Sequence, residues 1–190
     1  ALKLYFMVGL PGEMTDDVAA IVVLVRNIKE RFRGEISVNV SPFVPKAHTP
    51  LQWAAMATPE ILEKHLSVLK EGLEQAGVEL KAESIAWSSV QGVLARGDRR
   101  LAQVLIAMDG HTSLRAWEKA LRDQDLSEEE YLRQRSAHEA LPWQVVDMGV
   151  SLDYLRVEAE RAGLGLSSPS CTGIGCDRCG VCEPAKSEEH

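Results

Sequence analysis

The chain has 190 residues, 45% of them hydrophobic and 26% charged, with a formal net charge of −7. That length and composition suit one globular domain with an appendage and exclude a disordered or fibrous chain. The acidic balance argues against broad electrostatic affinity for nucleic acid, and the longest apolar run, residues 18–25, is far too short to span a bilayer. Neither a membrane nor a nucleic-acid partner is expected, and the cytoplasm is the expected compartment.

The first predicted element is a strand over residues 2–8, a nearly continuous apolar run closed by Gly9 and Pro11. It reads as a buried parallel strand. The turn Gly-Leu-Pro-Gly-Glu follows at 9–13. Thr15 is the predicted N-cap of a helix over about 16–31, with Asp16 and Asp17 in the first turn and Gly34 as its stop. Residues 36–40 form the next strand, with Ile36, Val38 and Val40 on one face and Ser37 and Asn39 on the other. Strand, helix and strand make a right-handed βαβ unit. Chemistry in such sheets sits at the C-terminal strand ends, so the 9–13 turn and the 41–49 loop should be neighbours on one rim. Pro42, Pro45 and Pro50 stiffen the second loop. Its Lys46 and His48 read as solvated side chains.

A helix over about 59–75 has Pro59 at its first position and an apolar stripe of Ile61, Leu62, Leu66, Leu69 and Leu73. His65 falls on or beside its polar face. Residues 78–82 alternate and read as a third strand, whereas 84–90 fit no single period. Beyond them the pattern is mainly helical. An Asp98-capped helix runs to Met108, another covers 114–122, and Ser127-Glu-Glu-Glu130 is a capping box. A loop with apolar anchors spans 142–150, and a last helix over 151–162 ends at Gly163. Arg96, Arg99 and Arg100 form a small basic cluster that either pairs with Asp98 and neighbouring acids or receives a phosphate; pairing is the simpler reading. The expected organisation is an α/β unit over 1–83, a helical extension over 84–164 and a cysteine-rich tail over 165–190.

All four cysteines stand in that tail, as Cys171, Cys176, Cys179 and Cys182 with the spacing C-x₄-C-x₂-C-x₂-C. Thiolates are soft ligands that suit iron–sulfur iron or zinc. Gly173, Gly175 and Gly180 allow tight turns around the sulfurs. The first three follow one ferredoxin-like spacing, while a zinc knot more often uses two separated pairs. An iron–sulfur cluster of the [4Fe–4S] type is therefore the first expectation and zinc the alternative, the latter implying a non-catalytic interaction module. Two disulfides would need an oxidising compartment, for which no leader is visible. The chain starts at Ala1 inside a strand and ends in Glu-Glu-His, which reads as a piece excised from a longer protein with a trace of an affinity tag.

Leu4-Tyr-Phe-Met-Val-Gly-Leu-Pro-Gly-Glu13 resembles a late strand and turn of the radical S-adenosylmethionine (SAM) barrel, and residues 37–50 are similar to its next strand and loop. Residues 94–101, Leu141-Pro-Trp143 and the cysteine tail resemble a branch of iron–sulfur oxidoreductases that often carry an N-terminal cobalamin-binding-like region. The resemblance implies an α/β fold: the last βαβ part of a partial (β/α) barrel, then a mainly helical extension and the tail. It places Met7 and Gly9 near the SAM adenine, with Pro11, Gly12 and Glu13 shaping the turn. It places Asn39, Ser41 and Phe43 beside SAM or substrate, and an auxiliary cluster on the four cysteines. The C-x₃-C-x₂-C motif that defines the superfamily is absent. The chain alone is thus not expected to be active. Its implied partners are the N-terminal part of the same polypeptide and an electron donor.

Overall fold

The computed structural model describes residues 1–171 and 176–182. Gly173, Gly175 and the terminal Glu-Glu-His, on which expectations were placed, lie outside the described residues. The described chain is mixed α/β, with a three-stranded parallel sheet and seven α-helices. Strand β1 (Leu2–Val8) pairs with β2 (Ile36–Pro42), and β2 pairs with β3 (Glu79–Ala82). The register sets Tyr5, Asn39 and Lys81 in one row and Met7 beside Ser41 in another.

Helix α1 (Thr15–Arg31) crosses from β1 to β2, and α2 (Pro59–Gln75) crosses from β2 to β3. Both crossovers advance in the same direction, so their right-handedness puts both helices on one face of the sheet. Val18, Val22 and Val25 of α1 and Leu62, Leu69 and Leu73 of α2 accordingly close a single core over Val8, Ile36, Val38 and Val40. Each such side chain contributes about 1.5–3 kcal/mol on leaving water. Gly72 sits where the helices touch. A Cβ there would lie 2.6 Å from a Val22 methyl, so the close helix approach depends on its absence.

The opposite face of the sheet carries no helix layer from these units, which corrects the buried reading of the first strand. β1 is an edge strand whose alternate residues are exposed, Tyr5 at 74% and Met7 at 46%. Three further expectations are revised. Met14, not Thr15, precedes the first turn of α1, and its N–H donates to the Asp17 carboxylate at 2.8 Å. Ile61 points outward, and His65 is buried in its place, because the stripe of α2 runs through 62, 65, 69 and 73. Asp98 does not cap a helix directly: its carboxylate accepts the Arg100 N–H, and the helix begins at Leu101. The third strand adds a second βαβ unit to the one expected at the end of the α/β segment.

The helical segment comprises α3 (Ile85–Arg96), α4 (Leu101–Ala107), α5 (Leu114–Asp123), α6 (Glu128–Leu132) and α7 (Leu152–Gly163). Ser84, Ser113, Ser127 and Ser151 each accept a backbone N–H and cap α3, α5, α6 and α7. Trp117, Leu121, Tyr131, Val93 and Val104 form its core. A third core of Trp53, Leu141 and Leu155 fixes α7 against the short 3-10 helix Pro50–Trp53, at the end of the proline-rich loop. This contact brings α7 to the rim of the sheet. No helix among the described residues is long and apolar enough to cross a membrane.

Candidate functional site

The rim at the C-terminal strand ends is built by direct backbone contact. Phe43 N–H donates to Val8 O at 2.7 Å, and Glu83 N–H donates to Val40 O at 2.9 Å, so each strand exit leans on its neighbour. The expected neighbourhood of the 9–13 turn and the proline-rich loop follows from this pairing. A groove of about 660 Å³ lies above it. Met7, Ser41 and Phe43 line one side, Lys46 and Leu51 the loop side, and Glu158, Ala162, Leu166 and Ser168 the far wall. A second groove of about 440 Å³, lined by Leu10, Pro11 and Gln134, shares Pro50, Leu51 and Ala162 with the first.

The structure therefore gathers three of the sequence-derived residues, Met7, Ser41 and Phe43, into one groove. Asn39 lies two residues before Ser41 on the same sheet face, beside Tyr5. Pro11 belongs to the second groove. Gly12 is exposed at φ +81°, with open space where a Cβ would stand. Gly9 is buried at φ +82°, and a Cβ would meet Leu62 Cδ2 at 2.7 Å and Ala57 Cβ at 3.0 Å. Left-handed backbone and lack of space both require glycine there.

Glu13 faces away from solvent. Its Oε2 accepts the Gly9 N–H at 2.6 Å and lies 3.0 Å from His65 Nδ1, with both side chains under a tenth exposed. The ring nitrogen makes no hydrogen bond there, so this contact is one of proximity. His65, expected on or beside the polar face, is buried, and its spacing three residues after Leu62 and four before Leu69 is the local signal for it.

Two further polar groups are buried, Gln52 and the Arg96 of the basic cluster. Gln52 is 1% exposed, and its Oε1 accepts from Trp143 Nε1 at 2.6 Å and from His48 N–H at 3.2 Å. It ties the proline-rich loop to the segment before α7, and its amide identity gave no hint of burial. Arg96 is fully buried and donates to Ala54 O at 2.9 Å and Arg133 O at 3.0 Å. Burial, with Arg135 and Arg133 nearby, pushes its pKa down to about 10. The basic cluster thus splits: Arg96 serves the core, and Arg100 binds Asp98 and Glu130.

Cys171 is exposed, and Cys176, Cys179 and Cys182 are partly buried. Ser151 N–H donates to Cys179 O at 2.7 Å, and Gly180, at φ +81°, packs by Gly149 O. Arg178 donates to Ser170 O at 2.7 Å and sits 3.5 Å from Cys176 Sγ. That contact raises the Arg178 pKa above its ordinary value and sets a cation where thiolate charge would gather. No three His, Cys, Asp or Glu side chains among the described residues are gathered closely enough to hold a metal ion. The donor set itself, four soft thiols outside any disulfide, fits an iron–sulfur cluster or zinc, and the loop would have to close around either.

No protein-family model matches the chain, and no solved structure matches it. The chain is similar to an uncharacterized protein of Methanocaldococcus jannaschii, 30% identical over 113 residues, which is 60% of this chain. The match covers about a quarter, 25%, of that relative's length.

Proposed function

We propose that the chain is the C-terminal part of a radical SAM iron–sulfur oxidoreductase, supplying the late sector of its barrel and an auxiliary [4Fe–4S] cluster site at the tail cysteines. The observation that carries this reading is the one-sided sheet. A doubly wound sheet reverses its strand order and receives helices on both faces. Here the order β1-β2-β3 never reverses, and α1 and α2 share one face. The other face presents Tyr5, Asn39, Ser41 and Lys81 in rows. Helices on one face only, and chemistry-bearing side chains such as Ser41 at the C-terminal strand ends, are what a sector cut from a (β/α) barrel would have. The free edge of β1 is where the remaining strands, on the N-terminal part of the same polypeptide, would pair.

In that parent, a separate [4Fe–4S] cluster would supply the electron for reductive cleavage of SAM to a 5′-deoxyadenosyl radical. This chain's residues would bind and orient. Met7 and Gly9 would border the adenine, Asn39, Ser41 and Phe43 would line the SAM or substrate side, and the Gly9–Glu13 contact would hold the turn in shape. Cys171, Cys176, Cys179 and Cys182 would be the ligands of the auxiliary cluster. With four cysteine ligands, electron relay from an external donor is favoured over direct substrate ligation.

The tail is tested by anaerobic reconstitution. Uptake of about four iron and four sulfide, with a broad visible band bleached by dithionite, is expected. Stoichiometric zinc that survives reconstitution would replace the cluster by a structural Cys₄ site in an interaction module. The barrel is tested in the full-length natural polypeptide, where dithionite should release 5′-deoxyadenosine from SAM. A cluster-loaded preparation that releases none overturns the enzymatic reading.

A further inference from the structure

The far wall of the larger groove is not part of the sheet. It is α7 and the segment just after it, through Glu158, Ala162, Leu166 and Ser168. This segment is the lead into the cysteines, and polar contacts pin it at both ends. At the groove end, Glu158 is 7% exposed and its carboxylate accepts the Ser168 hydroxyl. Arg161 donates to Ser167 O at 2.5 Å, and Leu166 N–H donates to Arg161 O at 2.9 Å. At the thiol end, Arg178 bridges Ser170 O, one residue before Cys171, to Cys176 Sγ. Cys179 O then accepts from Ser151, the N-cap of α7. The tail thus folds back along α7, with one end forming a wall of the groove and the other carrying the thiols.

We propose that this strap couples the two sites: closing the thiols on a metal ion locks residues 164–170 in their place along α7 and holds the groove wall at Glu158 and Ser168. The physical ground is the shortness of the connection. Ser168 and Cys171 are three residues apart, and Arg178 holds the carbonyl of Ser170 between them, so gathering the thiols restrains Ser168. By linkage, a ligand held in the groove then raises the metal affinity of the tail by the same factor. The inference rests on the tail being a metal site.

Cobalt(II), whose thiolate complexes absorb in the near ultraviolet, is a direct probe. The purified chain is titrated anaerobically with cobalt(II), and hydrogen exchange is followed by mass spectrometry in peptides covering 158–170. Saturation should slow exchange there by about tenfold or more, as expected for a segment stabilised by a bound ion. Ser168→Ala and Glu158→Gln should reach the same thiolate absorbance but lose most of that protection. Arg178→Gln should keep four thiols yet bind cobalt(II) more weakly and with less protection. Full thiolate absorbance with unchanged exchange over 158–170 overturns the coupling and leaves the metal reading intact. Absence of thiolate absorbance overturns the metal reading and the coupling with it.

Discussion

Glu13 Oε2 lies 3.0 Å from His65 Nδ1 while accepting the Gly9 N–H at 2.6 Å. One carboxylate oxygen thereby joins the exit of β1 to the middle of α2. The same region of α2 supplies Leu62, against which Gly9 packs without room for a Cβ. The turn at the exit of β1 is therefore set by packing and by the Gly9 hydrogen bond together.

Removing the carboxylate should be costly, because it strands the Gly9 N–H and leaves His65 buried beside a void. Glu13→Ala is expected to lose about 2–4 kcal/mol, read by urea denaturation. Glu13→Gln keeps an acceptor for Gly9 and should lose only about 1–2 kcal/mol. Equal losses for the two variants would show that the Gly9 hydrogen bond does not matter.

Two glycines in one turn should respond differently. Gly9→Ala combines left-handed strain with a clash against Leu62 and should cost about 2–4 kcal/mol. Gly12→Ala meets open space and should cost about 1 kcal/mol from backbone strain alone. Thermal unfolding of the two variants side by side checks this. A Gly12 variant as damaged as the Gly9 variant would contradict the packing described.

Arg96 is held by two carbonyls from separate segments, at Ala54 and Arg133. Arg96→Met leaves both without that donor and should cost about 2–4 kcal/mol. Arg96→Lys has one donor head and cannot span both oxygens, so it should rescue only part of the loss. Full rescue by lysine, measured by denaturant midpoint, would reduce the role of Arg96 to its charge.

Acid should weaken the helical segment through two carboxylates. Hydrogen bonds from Arg100 hold Asp98 below its ordinary value of 3.8, and those from Arg133 hold Glu139 below its ordinary 4.5. In each case the unfolded chain binds the proton more readily, so stability rises with pH through this range. The contribution is complete above the ordinary values and is lost as pH falls through the lowered ones. Wild-type Tm should drop between pH 5 and pH 3 by more than that of an Asp98→Asn, Glu139→Gln double variant. Parallel curves would remove these pairs as the cause.

The elements with strong periodicity were legible in the sequence. Ile36, Val38 and Val40 announced β2, Pro59 announced the start of α2, and Ser127 announced α6, because each depends on neighbours within a turn or a strand. His65 reads as a residue on or beside the polar face because a polar residue is normally left to water, and Arg96 reads as a partner of nearby acids because Asp98 is close in sequence. In the structure Glu13, from the turn after β1, stands beside His65, and the carbonyls of Ala54 and Arg133 satisfy Arg96. These partners are far away in the chain, and no local pattern encodes them.

The rim shows the same division. Sequence alone determined that two turn-rich loops follow two parallel strands and that four thiols cluster in the tail, since strand period, turn chemistry and cysteine spacing are local properties. Only the tertiary structure decided that β1 is an edge with one open face and that α7 closes the groove through Glu158 and Ser168. Whether a face is covered, and which distant segment covers it, depends on how whole elements pack, and that is settled by contacts between residues more than a hundred positions apart.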